Sequence, residues 1–223
     1  MPVNIESFHS IQKELITQHV ELIAVSKTKP NEDLMDLYNV GQRAFGENYV
    51  QELVDKADHL PKDIQWHFIG HLQSNKVKYI APFVHLIHGV DSEKLLQEIN
   101  KQALKNNRVI DCLLQVHIAT EETKFGFDAE SINELIQSGR LTQYSNIKIK
   151  GLMGMASFSD DQSLLSKEFI SLKQIFDHAA IQLGNEFTIL SMGMSSDYTL
   201  AIKLGSNMVR IGSLLFGARN YSK

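Results

Sequence analysis

Eight short apolar runs recur along the chain, each followed by a stretch with apolar residues at helical spacing. The runs cover residues 21–26, 43–46, 65–70, 83–88, 108–118, 147–151, 187–190 and 208–211. They are too apolar to have a solvated face. Strands of that kind belong to a parallel sheet covered by helices on its outside. The intervening segments read as helices. Asn31 is positioned to cap one that carries Leu34, Leu37 and Tyr38, and Val50, Leu53, Val54 and Ala57 form the face of the next. Residues 74–80 read as a short helix. Asp91 or Ser92 caps a helix with Leu95, Leu96, Ile99 and Leu104, and further helices are predicted over 129–136, 164–183 and 196–204. One extra amphipathic helix precedes the first strand, with Ile11, Leu15 and Ile16 as its apolar side. A doubly wound open sheet fits this pattern, but eight regular units match a closed (β/α)₈ barrel with an extra N-terminal helix better.

Composition narrows the function classes. The 223 residues carry 22 Lys plus Arg against 26 Asp plus Glu, a formal charge of -4. Nucleic acid is not an expected partner, because neutralising phosphates needs a basic excess. No run approaches the roughly 20 apolar residues of a membrane span, and the first ten residues lack the basic-then-apolar order of a secretion signal. The single cysteine, Cys112, lies in an apolar run and reads as a buried strand residue. A reduced lone cysteine and no leader make a cytoplasmic protein the expectation. No proline-rich linker or composition shift divides the chain, so residues 1–223 are expected to form one domain.

A barrel places chemistry at the carboxyl ends of its strands. The first strand delivers Lys27, which shares a side with Ile23 and Val25 by alternation. If Val25 faces the interior, Lys27 stands in the mouth, where desolvation lowers an amine pKa and lets it attack an aldehyde. A solvated strand-end lysine is the plainer alternative. The loops after strands seven and eight carry Ser191, Gly193, Ser195 and Ser196, then Arg210, Gly212 and Ser213. These are the two loops that recurrently hold phosphate in this fold, although turn glycines and cap serines have the same composition. An amine with a phosphate cradle suggests a phosphorylated aldehyde, of which pyridoxal phosphate is the commonest cofactor. Asn48, after strand two, either caps the next helix or bonds a ligand ring substituent. His67 and His71 lie on a strand and a turn without a nearby third ligand, so no metal is expected. Met153 and Met155 read as packing residues at the mouth, and Lys124 as a loop lysine.

Five ordered segments carry a family resemblance: 24–29 (AVSKTK), 45–52 (FGENYVQE), 66–76 (WHFIGHLQSNK), 191–197 (SMGMSSD) and 209–213 (VRIGS). The chain resembles the pyridoxal phosphate homeostasis protein family over nearly its whole length. The resemblance implies the barrel of alanine racemase N-terminal domains and a cofactor held as an internal aldimine on Lys27, with phosphate contacts around 191–195 and 210–213. Taken with the reading of Asn48, the expected cofactor-binding residues are Lys27, Asn48, Ser191, Gly193, Ser195, Arg210, Gly212 and Ser213, with no catalytic residue assigned. Phe125 departs from the small residue expected there, which narrows the mouth. Racemases of this fold take a second base from a C-terminal β domain, and the sequence to Lys223 is expected to lack one. The expectation is therefore a monomeric, non-enzymatic carrier or buffer that passes cofactor to apo-enzymes. A small one-base amino-acid racemase or lyase is the alternative.

Overall fold

The β1–β8 ladder closes the sheet. In a computed structural model, which describes residues 3–121 and 125–217, the strands are β1 (Glu21–Val25), β2 (Ala44–Glu47), β3 (Gln65–Phe68), β4 (Leu86–Val90), β5 (Ile110–Val116), β6 (Ile147–Gly154), β7 (Ile189–Met194) and β8 (Met208–Ile211). All neighbouring pairs are parallel, in the order of the sequence, and β8 returns to β1 with Glu21 opposite Met208 and Ala24 opposite Ile211. The helices are α1 (Ile5–Thr17), α2 (Asn31–Asn39), α3 (Val50–His59), α4 (Val77–Ile80), α5 (Glu93–Lys105), α6 (Ala129–Gln137), α7 (Gln162–Leu183), α8 (Tyr198–Lys203) and α9 (Ser213–Phe216).

Strand alternation sorts the apolar residues into two bodies. Ile23, Ala44, Leu86, Leu113, Met153 and Met208 fill the barrel interior. The residues between them, such as Leu22, Ala24, Phe45, Phe68, Ile87 and Cys112, face the helices and join the larger core between sheet and helices. Cys112 is fully buried, as its apolar run predicts, and burial pushes its thiol pKa up, so it is inert packing.

Element boundaries differ from the sequence reading where polar and apolar signals overlap. β4 begins at Leu86, not at residue 83, because the backbone from Ile80 to Val84 turns through bonds back to Ile80. β7 begins at Ile189 and runs on to Met194, through the segment read as a loop. The α2 cap position is Pro30, not Asn31, with no side-chain cap bond. Ser92 is the α5 cap, accepting from the Leu95 N–H. Ile16 and Leu104 are exposed, not core, since both point off the buried stripe of their helices.

β7 carries one extra residue relative to β8: three steps from Ser191 to Met194 oppose two from Met208 to Arg210. Gly193 absorbs it at φ +95°, and an added Cβ would lie 2.6 Å from the Ala201 Cβ on α8. Such an irregularity re-aims the side chains that follow, here Met194 and Ser195. A Gly193→Ala substitution meets both the strained dihedral and the Ala201 methyl. The expected cost is about 2–3 kcal/mol of unfolding free energy, read as a lower urea midpoint at unchanged slope.

Candidate functional site

A cavity of about 490 Å³ opens at the carboxyl end of the barrel, within the size range of small-ligand sites. The strand ends contribute residues close in sequence: Val25 as the last residue of β1 and Lys27 after it, Asn48 after β2, Ile69 after β3, and Met155 and Phe158 after β6. The β7 and β8 ends add Met194, Ser195, Arg210, Gly212 and Ser213. Six of the eight residues singled out from sequence thus line one cavity: Lys27, Asn48, Ser195, Arg210, Gly212 and Ser213. Lys27 is half-buried, on the same side as Ile23 and Val25.

Ser191 and Gly193 are not brought there. Because β7 extends to Met194, both lie within the strand and are fully enclosed. Gly193 is consumed by packing against α8, and Ser191 is bonded beneath the cavity. Arg210 also departs from the sequence picture. It is buried, and its terminal nitrogens are committed: Nη1 donates to the Ser191 carbonyl at 2.9 Å and to Ser191 Oγ at 2.7 Å, while Nη2 donates to the Gly154 carbonyl at 2.9 Å. It therefore forms the charged floor of the cavity. Burial lowers its pKa to about 10, which leaves it ionised at neutral pH.

The string continues through the barrel. Ser191 Oγ lies 3.3 Å from His88 Nδ1, and His88 Nε2 lies 2.9 Å from His67 Nδ1. Since Ser191 Oγ accepts from Arg210, its proton goes to His88 Nδ1. That assigns the His88 proton to Nε2, which donates to His67 Nδ1, and the His67 proton to its own Nε2. His67 Nε2 is buried without a partner among the described residues. Desolvation holds His67 down to about 3, reinforced by His85, and holds His88 well below the ordinary imidazole value, reinforced by His67, Arg210 and His85. Both rings are neutral, so Arg210 carries the charge of this string alone. Sequence reading missed His88. Its signal was parity with Leu86, which places it on the interior side of β4.

His67 and His71 diverge. His71 sits at the rim, 2.8 Å from Asp91 and stacked on Phe125 with ring centroids 3.9 Å apart. The described residues contain no group of three ligands that could hold a metal. Phe125 is exposed and stacks on His71 at the rim; it is not among the residues that line the cavity. Lys124 lies outside the described residues.

The donor set fits pyridoxal phosphate. Asn48 lines the cavity, and its buried Oδ1 has no hydrogen-bond partner among the described residues. The α3 cap position is Tyr49, with no side-chain cap bond, so capping does not occupy Asn48. An unsatisfied buried amide favours a ligand that completes it. The Gly212 N–H donates to Ser195 Oγ at 3.2 Å, tying the β7 and β8 loops together. An added Cβ on Gly212 would sit 3.1 Å from the Val25 carbonyl.

Residues 6–220 match the family model for the alanine racemase N-terminal domain. A pyridoxal phosphate homeostasis protein of Aquifex aeolicus is 41% identical over 202 residues, covering 90% of this chain and 88% of that protein. A protein of the same name from Schizosaccharomyces pombe is 42% identical over 216 residues, covering 96% and 90%. The chain belongs to the pyridoxal phosphate homeostasis protein family. Among solved structures, PipY of Synechococcus elongatus without PLP matches with TM-score 0.89 at 34% identity, covering 95% of this chain and 99% of PipY. The PLP-bound PipY structure matches with TM-score 0.86. The alanine racemase of Clostridium difficile matches with TM-score 0.76 at 15% identity, over 99% of this chain and 58% of the racemase, which shows the shared barrel.

The neutral histidines have a consequence for stability. Below an unfolded-state pKa near 6.5 the unfolded chain takes up protons that folded His67 refuses until about pH 3. Their contribution is therefore complete above about pH 6.5 and lost as pH falls, by up to ~1.4 kcal/mol per pH unit for each ring. Urea unfolding between pH 7.5 and 5 is expected to show this decline, and His67→Gln is expected to make the slope shallower.

Proposed function

We propose that the chain binds pyridoxal phosphate at the barrel mouth, covalently through Lys27, and holds the cofactor for release to other proteins. The observation that carries this reading is the lining of the cavity. Lys27, the buried Arg210, Asn48 with its unsatisfied Oδ1, and the joined β7 and β8 loops all line one cavity. Lys27 supplies the amine for the aldehyde carbon. Arg210 and Asn48 offer polar partners to the ring, and the 195–196 and 212–214 loops offer donors to the phosphate. When bound, the cofactor supplies an electron sink to an attached amine.

Turnover needs a group that moves a substrate proton, with a pKa near the working pH. Among the described lining residues there is no Asp, Glu, His, Cys or Tyr. The ionisable ones are Lys27, Lys29 and Arg210, and the Lys29 amine donates to the Phe216 carbonyl at 2.6 Å. This supports a holder over a racemase or lyase. The names of the relatives support it as well. On this reading one barrel domain works as a monomer in the cytoplasm, and the acceptors are apo forms of PLP-dependent enzymes. Among the described residues no helix is long and apolar enough to cross a membrane.

Titration of the purified protein with pyridoxal phosphate is expected to give a visible absorption band of one equivalent, absent in Lys27→Ala. Borohydride reduction followed by peptide mass spectrometry is expected to find the label on Lys27. A label on another lysine, or no uptake, overturns the assignment. Incubation of the loaded protein with L-amino acids in deuterated water is expected to leave the α-protons unexchanged, whereas exchange at catalytic rates establishes the one-base enzyme instead.

A further inference from the structure

A buried ion cluster lies beside the cavity, and its bonds converge on the residues that flank Lys27. Lys56, on α3, is buried and its amine donates three bonds: to the Ser26 carbonyl at 2.8 Å, to Glu47 Oε1 at 2.7 Å and to Glu52 Oε1 at 2.7 Å. The two carboxylates pass the grip on. The Ser26 hydroxyl donates to Glu47 Oε1 at 2.6 Å, and the Thr28 N–H donates to Glu52 Oε1 at 2.6 Å. The residue before Lys27 is thus held through its carbonyl and hydroxyl, and the residue after it through its amide.

Thr28 shows what this grip accomplishes. It sits at φ +63°, a left-handed conformation that is unfavourable for a β-branched residue. Such a conformation persists where surrounding contacts over-determine it, and the Glu52 bond is one of those contacts. The turn that holds Lys27 and Thr28 is closed by the Lys29 N–H donating to the Ser26 carbonyl, the same oxygen that Lys56 engages.

Stability alone does not account for the cluster. Glu47 is fully buried, its Oε2 has no partner among the described residues, and desolvation raises its pKa despite Lys56. Buried ion pairs of this kind are often replaceable by apolar residues without loss of stability. Their distinctive contribution is geometric: they fix one arrangement of the backbone that carries them.

We propose that Lys56, Glu47 and Glu52 are positioning residues that clamp the backbone on both sides of Lys27 and so set where its amine stands over the cavity. The proposal rests on the reading of the cavity as a pyridoxal phosphate site. It names no contact between the cluster and the cofactor. Lys56 acts through Ser26, and Glu52 through Thr28.

The test uses the full chain and pyridoxal phosphate itself, with three readouts: affinity from absorbance titration, the fraction of Lys27 labelled after borohydride reduction, and thermal unfolding of the cofactor-free protein. Lys56→Met is expected to weaken affinity about tenfold or more and to lower labelling of Lys27, and also to lower the unfolding temperature of the cofactor-free protein, because Glu47 is left buried without its cation. Glu52 is half-buried, and its substitution keeps the test interpretable should Lys56→Met fold poorly. Glu52→Gln retains an acceptor for the Thr28 N–H and is expected to keep most of the affinity, while Glu52→Ala is expected to lose it. Wild-type affinity and labelling in Lys56→Met overturn the proposal, as does equal behaviour of the two Glu52 variants. A failure of the underlying cofactor reading is distinct, since it appears in the wild type as no uptake or as a label away from Lys27.

Discussion

The ladder between β1 and β8 pairs Ile23 with Arg210 and Ala24 with Ile211, residues separated by most of the chain. Those parallel hydrogen bonds turn an eight-stranded sheet into a closed tube, and the arrangement of the site follows from that closure. Lys27 leaves β1 beside the turn that leaves β8, so the amine, the guanidinium floor and Gly212 line one cavity. The Lys29 amine reaching the Phe216 carbonyl reinforces the same seam. An open sheet of the same strands would leave β1 and β8 as unpaired edges.

Two buried cations stand beside this seam, and they are handled differently. Arg210 is satisfied by neutral acceptors, the Ser191 and Gly154 carbonyls and the Ser191 hydroxyl, with two neutral histidines behind it. It keeps a positive charge facing the mouth. Lys56 is instead enclosed by two carboxylates, and its charge is spent within the cluster. Arg210, with Lys27 and Lys29 in the same lining, gives the mouth basic groups although the chain carries a net charge of -4.

Much of this was legible in the sequence. The eight apolar runs, the parity of Ile23, Val25 and Lys27, and the glycine- and serine-rich ends of β7 and β8 pointed to a barrel with an amine opposite an anion cradle. What failed did so for local reasons. Ser191 read as a loop hydroxyl because Gly193 suggests a turn, while in the fold that glycine sits in a strand irregularity. Ile16 and Leu104 read as core because helical spacing locates a stripe only to within a residue. His88, Glu47, Lys56 and Glu52 were passed over as site residues, although Glu52 and Lys56 are at the i,i+4 spacing of a helical ion pair.

The sequence by itself determined the number and order of strand–helix units and the identity of the lysine that reaches the mouth, because hydrophobic periodicity and alternation are properties of neighbouring residues. Tertiary structure alone decided which polar groups meet. Arg210 became a cavity floor and not a phosphate arm because Ser191 on the neighbouring strand β7 and Gly154 on β6 beyond it accept from its guanidinium, and Lys27 acquired a clamp because α3 packs Lys56 against the end of β1. Such contacts join residues distant in sequence, where burial removes water and leaves each polar group dependent on whatever partner the fold supplies.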